Sequence, residues 1–397
     1  MVHMALSKQG KSKVAWLPFW PNRNIYVPIF NNLGRMDRSL ELFMIVPEQA
    51  RSYRAGERNF RIEYLPHEEY KKVFFLDYLR RRARNEEIDV TTTMMLRGLV
   101  KKLEQESPDV VVSNLEYSIY TLQSAWYCRK HGRKLIIQSE TKIVRGFRRV
   151  MHWLFMRAIL GFFSGQVSAI TCWTEASRQF MSREFSGYTK AGFYTLPPGV
   201  DTSKFYYKRG RAGRKLRILV VSRFAPYKRH EDILKAAKHL KESSGLDFEV
   251  AFLGDGPRKE KVRQQARQMG VDGVVKFLPK ATFDEMRQVY SRHDLLVLSS
   301  FNEAIGMVVP EAMACGTPVI VSDTSGAATY VDDGRTGFIF RTFDYRDLAA
   351  KVKMLGDKKR REAMGLEASR EVRKRFSSEV IAASFGEIIR KSLSGRK

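Results

Sequence analysis

Cysteine is scarce in this 397-residue chain: Cys128, Cys172 and Cys315 stand far apart, and none has metal-ligand spacing. An odd, sparse set excludes a disulfide framework and fits a reducing cytosol. Long apolar runs are missing as well. Nothing runs for ~18 residues without a charge, so no transmembrane helix is expected. The opening stretch, "MVHMALSKQGKSKVAWLPFW", has bases but neither a continuous apolar centre nor a small-residue cleavage site, and no signal peptide is expected. There is no repeat of fixed period and no low-complexity tract. Acid is the last shortage. Only 43 Asp and Glu stand against 70 Lys and Arg, giving a net charge of +27 and a pI near 10.0. That imbalance points to a polyanionic partner, whether nucleic acid, anionic lipid or a phosphorylated substrate, although general solubility would also be served by it. No RNA- or DNA-binding motif is present, so no specific nucleic acid is expected as a partner.

What is there reads as filled globular domains. Hydrophobic residues make up 44% and aromatics 12% of a chain long enough for two cores. The C-terminal half alternates strictly. Strands "LRILVV", "FEVAFL", "VVKFLP", "DLLVLSS" and "TPVIVSD" are separated by helices such as "HEDILKAAKHLKES", "RKEKVRQQARQMG" and "TFDEMRQVYSRH". The third helix carries the capping pattern Thr282-x-x-Glu285. Strand and helix in strict alternation with short joints predict an open, doubly wound parallel sheet. The N-terminal half alternates more loosely, with strands "ELFMIVP", "FRIEYLP", "PDVVVSN", "KLIIQSE" and "SAITCWTE" and a helix "SIYTLQSAWYCRKHG". The basic, glycine-containing "YYKRGRAGRKLR" reads as the link between the halves.

In such sheets ligands bind at the carboxyl ends of the strands, which selects the strand-to-helix joints. One joint, "VSRFAPYKRHED", holds Arg223 and Lys228, a forked cation and a point charge suited to one anion. The other is "SSFNEAIGMVVPEAMACGTPVIVSDTSG", which sets Glu303 and Glu311 on either side of an apolar run. An unpaired buried carboxylate is costly. Either both glutamates face solvent, or something polar arrives for them to hold. Gly306 permits close backbone approach before a short helix whose start favours phosphate. A ligand with hydroxyls on both sides of a phosphate would satisfy both carboxylates.

These residues resemble the signature of family-four retaining glycosyltransferases (glycosyl transferases group 1). Glu303 and Glu311 form an "E-x7-E" followed by "AMACGTPVI". "LPPGVDTSKF", "VSRFAPYKRHEDILKA", "FLGDGP", "VKFLP" and "DDGRTGFIF" stand in the family's order across residues 195–345. The resemblance implies a GT-B fold, two Rossmann-like α/β domains facing a central cleft. Their expected bounds are 1–205 on the acceptor side and 206–375 for the nucleotide-sugar domain. A terminal helix, 376–397, crosses back on an apolar face of Val380, Ile381, Phe385, Ile388 and Ile389. It also implies roles. Arg223 and Lys228 bind the donor diphosphate and stabilise the leaving group, and Glu303 contacts the donor sugar. Backbone at Ile305, Gly306, Met307 and Val308 helps to hold sugar and phosphate, Glu311 holds the ribose, and the base lies near Phe277–Lys280. The donor is UDP- or GDP-linked and no obligatory metal is expected.

Two departures from the family concern the acceptor side. The family's glycine-rich N-terminal loop is reduced to Gly34 in "NNLGRMDRS". Glu140 in "LIIQSETK" stands near the place of a histidine often found there, and it is a candidate for touching donor sugar or acceptor. From Thr141 to Thr174 no residue is acidic. Lys142, Arg145, Arg148, Arg149 and Arg157 mix there with Trp153, Leu154, Phe155, Ile159, Phe162 and Phe163, and a second basic knot spans Tyr78–Arg84. Bases beside large apolar residues suit an anionic membrane surface. The alternative is that the aromatics are core and the bases a solvated face. The expectation is a retaining glycosyltransferase at the cytoplasmic face of the membrane, serving a glycan or lipid-linked acceptor. A soluble enzyme with a small-molecule acceptor is the alternative within the class. A pyridoxal-phosphate phosphorylase lacks an assignable cofactor lysine, and a catalytically silent relative would not keep Arg223, Lys228, Glu303 and Glu311.

Overall fold

The structure, a computed structural model, describes residues 10–18, 26–48, 59–69, 94–116, 118–140, 147–207 and 215–395. Internal contacts divide the chain into two units, Met1–Gly199 with Ile381–Lys397, and Val200–Val380. The basic knot Tyr78–Arg84 and most of the linking segment (208–214) lie outside the described residues.

The first unit has strands β1 (Ser12–Leu17), β2 (Leu40–Pro47), β3 (Arg61–Leu65), β4 (His67–Glu69), β5 (Met94–Leu96), β6 (Val110–Asn114), β7 (Lys134–Ser139), β8 (Val167–Cys172) and β9 (Gly192–Thr195). Seven of them form a parallel sheet in the order β3-β2-β1-β6-β7-β8-β9, with β4 and β5 a separate antiparallel pair. Helices cover both faces, which is why the strands read as near-continuous apolar runs. Strand β1, an interior strand between β2 and β6, lies in the stretch that sequence patterning weighed only for a targeting signal. Its run "KVAWL" is short and follows a basic segment, so nothing local marks it as an interior strand. The last helix, Ser378–Ser394, buries Ile381, Phe385, Ile388 and Ile389, and the Phe385 ring stands 5.0 Å from that of Trp16 on β1. Ser392 accepts from Ser168 at 2.8 Å, and Arg390 pairs with Asp37 at 2.9 Å. Val380, expected on the apolar face, is instead exposed, because the helix's buried stripe begins one residue later.

The second unit holds β10 (Leu216–Val221), β11 (Phe248–Leu253), β12 (Val275–Leu278), β13 (Leu295–Leu298), β14 (Val319–Ser322) and β15 (Gly337–Phe340). All pair in parallel in the order β12-β11-β10-β13-β14-β15. The helix His230–Ser243 opens with Glu231 and Asp232 and closes with Lys241, charges that complement its dipole. The Asp344 side chain caps Tyr345–Met354 by accepting from the N–H groups of Arg346 and Asp347. Thr282 donates to Glu285 through both its N–H and its hydroxyl, but the helix starts only at Met286. Both sheets reverse strand order beside their first strand, between β1 and β6 and between β10 and β13. All three cysteines are buried and none is in a disulfide, and among the described residues no helix is long and apolar enough to cross a membrane.

Candidate active site

The second sheet's reversal, where ligands bind in open α/β sheets, lies between β10 and β13 and their following loops. The loop after β10 is pinned from behind by the turn Gly254-Asp255-Gly256. An added Cβ would lie 2.0 Å from the Ser222 carbonyl oxygen at Gly254 and 2.7 Å from that of Phe224 at Gly256. Only glycine allows this approach, at φ of 149° and 148°. The Phe224 N–H donates to the Asp255 carbonyl at 2.9 Å, fixing the peptide that carries Arg223. The Arg223 side chain is exposed and borders an open depression with Asp255 and Gly256.

Lys228, by contrast, is buried. Its Nζ donates to Glu303 Oε1 on the loop after β13. Ser299 Oγ ties the same loops by donating to the carbonyls of Lys228 and Arg229 at 2.8 and 3.1 Å. The backbone of the Glu303 loop rests on Gly326, whose N–H donates to the Glu303 carbonyl at 2.8 Å. A Cβ at Gly326 would fall 1.8 Å from the Ala304 carbonyl oxygen. Lys228 thus holds the carboxylate and Gly326 the backbone that carries it. The carboxylate's second oxygen, Oε2, is buried and accepts no hydrogen bond. Such an acceptor costs about 1–3 kcal/mol until something donates to it.

Glu311, on the helix Val308–Ala314, is 3% exposed, so it does not face solvent. Tyr290 answers for it within the protein, its hydroxyl donating to Oε2 at 2.7 Å. Burial pushes the carboxyl up to about 7, against the opposing influence of Tyr290 and Lys204. Sequence reasoning missed Tyr290, since an aromatic on a helix reads as core. It also missed His230, which stacks on Phe224 with ring centroids 4.5 Å apart and shares a 2.9 Å hydrogen bond with Ser222 Oγ. Burial, with the neighbouring charges of Lys228 and Arg258, brings His230 down to about 3, so the imidazole is neutral. The signal for it was its place at the end of "YKRH".

Ile305, Met307 and Val308 are half-buried against the core, and a Cβ at Gly306 would meet the Leu298 side chain at 2.6 Å. The Phe277 ring stacks on Phe252 at 5.5 Å and under Arg263 at 4.9 Å, so the core occupies it and the strand-end backbone is what it offers a base. Lys280 is exposed and pairs with Asp255 at 2.8 Å, which brings it to the edge of the Arg223 depression.

The first sheet's reversal also gathers side chains. Trp16 Nε1 donates to Asn114 Oδ1 at 2.6 Å, and Asn114 Nδ2 donates to Glu140 at 2.6 Å. The Tyr26 hydroxyl donates to the same carboxylate. Gly34 lies in no loop. It sits in the helix Tyr26–Met36, where its missing Cβ leaves room for the Asn59 carbonyl oxygen. Eight residues of helix separate it from Tyr26, roughly 12 Å.

The basic, aromatic stretch forms the helix Phe147–Phe163. Lys142 and Arg145 lie outside the described residues, as do the side chains of Arg148 and Arg149. Ile159 is buried, and Trp153, Phe155 and Phe163 pack on the core, so these four are not a free surface. Leu154 and Phe162 are exposed, Phe162 by 70%, in one stripe with Val150. The helix Ile119–Lys130 adds exposed Leu122 and Trp126. Arg129 joins the two helices, donating to the Phe162 carbonyl at 2.8 Å.

Residues 203–371 match the family model described as glycosyl transferases group 1. A D-inositol 3-phosphate glycosyltransferase of Nocardia farcinica (strain IFM 10152) is 32% identical over 211 residues, 49% of this chain and 46% of the relative. The chain thus spans about half the length of the curated relatives it matches. Sucrose-phosphate synthase from Thermosynechococcus elongatus superposes with a TM-score of 0.72 at 17% identity, covering 97% of this chain and 100% of that one. Anabaena HepE, solved with UDP and glucose, gives 0.70 at 15% identity over 96% and 99%. These likenesses establish the fold as GT-B.

Proposed function

We propose that this chain, whose residues 203–371 belong to the glycosyl transferases group 1 family, moves a sugar from a nucleoside-diphosphate sugar to an acceptor at an anionic membrane surface. One observation carries the donor half: Glu303 has one oxygen fixed by Lys228 and the other buried without a donor, beside the Arg223 loop. A sugar hydroxyl is the neutral donor that completes it. Arg223 and Lys228 would then face the diphosphate and stabilise the charge that develops as the anomeric carbon–oxygen bond breaks. The acceptor oxygen takes the anomeric carbon from the same face, its proton passing to the leaving diphosphate, and the configuration is retained. Glu311 would hold the ribose, with the base at the end of β12. Two side-chain cations serve the leaving group, so turnover should survive a chelator.

Support for the membrane half is the exposed apolar stripe of Val150, Leu154 and Phe162 with Leu122 and Trp126, beside Arg129, Lys130 and Arg157. An anionic surface matches both its apolar and its basic parts. The second reading, a small soluble acceptor, is favoured by the names of the relatives, D-inositol 3-phosphate glycosyltransferases. Incubation with UDP- and GDP-sugars should release free nucleotide, and phosphatidylglycerol vesicles should carry the protein into the pellet at moderate salt. Release from none of the donors sinks the transferase reading. Protein left wholly in the supernatant sinks the membrane half and leaves the soluble acceptor.

A further inference from the structure

Three described residues other than glycine take up a left-handed backbone in the loops after the strands of the second sheet: Arg229 at φ 52°, Asn302 at 54° and Phe343 at 72°. For a bulky aromatic such as Phe343 this conformation is strained, and it persists only where the surroundings enforce it. The surroundings do so here. Asp323 accepts from both the N–H and the hydroxyl of Thr342, and the Thr342 and Thr324 hydroxyls share a 2.7 Å hydrogen bond. The guanidinium of Arg229 lies over the Phe343 ring at 4.7 Å and is itself held by Asp232 at 2.9 Å.

The strain does not bury the ring. Phe343 is 53% exposed, and the Phe301 ring, 5.1 Å away, is exposed too, as is Tyr227, whose carbonyl accepts from the Phe301 N–H at 2.7 Å. Three large aromatics are thus kept at the surface on a stitched base, which a folding role alone does not require. Their place is informative. Phe301 precedes Glu303 by two residues, and Tyr227 precedes Lys228. Along the sheet, β12 lies at the base end, β10 and β13 at the diphosphate and sugar, and β15 two strand spacings further, about 10 Å. Phe343 follows β15, so its end of the cluster lies beyond the sugar and away from the nucleobase, whereas Tyr227 and Phe301 sit on the diphosphate and sugar loops themselves.

We propose that Tyr227, Phe301 and Phe343 form a stacking platform for a pyranose ring of the acceptor, so that the acceptor is itself a saccharide. The C–H face of a pyranose carries slight positive charge and lies well on the electron-rich face of an aromatic ring. This inference rests on reading Glu303 as the donor-sugar residue, and it adds the class of molecule that receives the sugar.

The test is saturation-transfer NMR on the full chain, with aromatic protons irradiated, against the methyl glycosides of glucose, galactose and mannose, with and without UDP. At least one glycoside should receive saturation, strongest on its C–H face. Phe343→Ala and Phe301→Ala should weaken that binding by about tenfold or more, with UDP affinity as in the wild type. Phe343→Gly, which relieves the backbone, should raise the melting temperature while losing the glycoside, so a folding defect is separated from a binding one. No saturation of any glycoside, or wild-type binding by Phe343→Ala, overturns the platform. A chain that binds a glycoside through Phe343 but no nucleotide breaks the donor reading instead.

Discussion

The reversal point of the first sheet gathers Trp16, Tyr26, Asn114 and Glu140, whereas that of the second pairs Glu303 with Lys228, whose loop also carries Arg223. Both sit where parallel-sheet topology opens a crevice. The first is a network of neutral donors around one carboxylate, in which Asn114 hands a hydrogen bond from the Trp16 indole toward Glu140. The second is an ion pair in which one carboxylate oxygen remains unsatisfied. Topology therefore provides the place, and the side chains at the strand ends decide which charge it will take. A site with two cations suits a diphosphate. A site whose described hydrogen-bond donors are neutral suits hydroxyls.

The contrast can be broken most strongly at Lys228. Lys228→Ala leaves the Glu303 carboxylate buried without its cation. It should cost about 4 kcal/mol in urea denaturation and lower nucleotide release from the donor by about 100-fold or more. Lys228→Met combined with Glu303→Leu should recover the stability while turnover stays lost. A single variant as stable as the wild type would refute the pairing.

Glu311 sharpens the contrast through pH. Its folded-state pKa of about 7 lies above the ordinary 4.5, so its contribution to stability is full below pH 4.5 and is lost as the pH rises through 7. The loss amounts to about 3 kcal/mol, and Glu311→Gln should abolish it. The check is the difference between the two proteins' urea midpoints at pH 4.5 and pH 8. Equal pH dependence in both would show that Glu311 is ionised in the folded state.

Asn114→Ala acts only on the first unit. It strips the Trp16 indole of its acceptor and Glu140 of a donor, an expected cost of about 2 kcal/mol in urea denaturation, with UDP affinity unchanged. Phe162→Ser should have the smallest effect on folding, within about 0.5 kcal/mol, because the ring is already in solvent. Its effect should instead be weaker sedimentation with phosphatidylglycerol vesicles, and unchanged sedimentation would remove Phe162 from the membrane face.

The same contrast governs how much could be read in advance. In the second unit Arg223, Lys228 and Glu303 lie in joints between an obvious strand and an obvious helix, so Lys228 and Glu303 were legible 75 residues apart. In the first unit the network joins residues 16, 26, 114 and 140, and no local periodicity connects them. Glu140 was found as an isolated carboxylate, while Trp16, Tyr26 and Asn114 were not, because strand β1 itself gave no clear signal. Gly34 was misjudged as a loop residue because a glycine in a helix and one in a loop look alike until Asn59 is seen packed against it. Phe343 shows a further limit. Composition cannot reveal a left-handed backbone at a residue type that seldom adopts one.

The central claim is that the crevice between β10 and β13 holds a nucleoside diphosphate through Arg223 and Lys228. Calorimetric titration of UDP and GDP into the wild-type chain and Arg223→Ala, without divalent metal, tests it directly. One of the two should bind at a single site and weaken by about tenfold or more, near 1.4 kcal/mol, in Arg223→Ala. Binding of neither nucleotide, or equal affinity in both proteins, would contradict the claim.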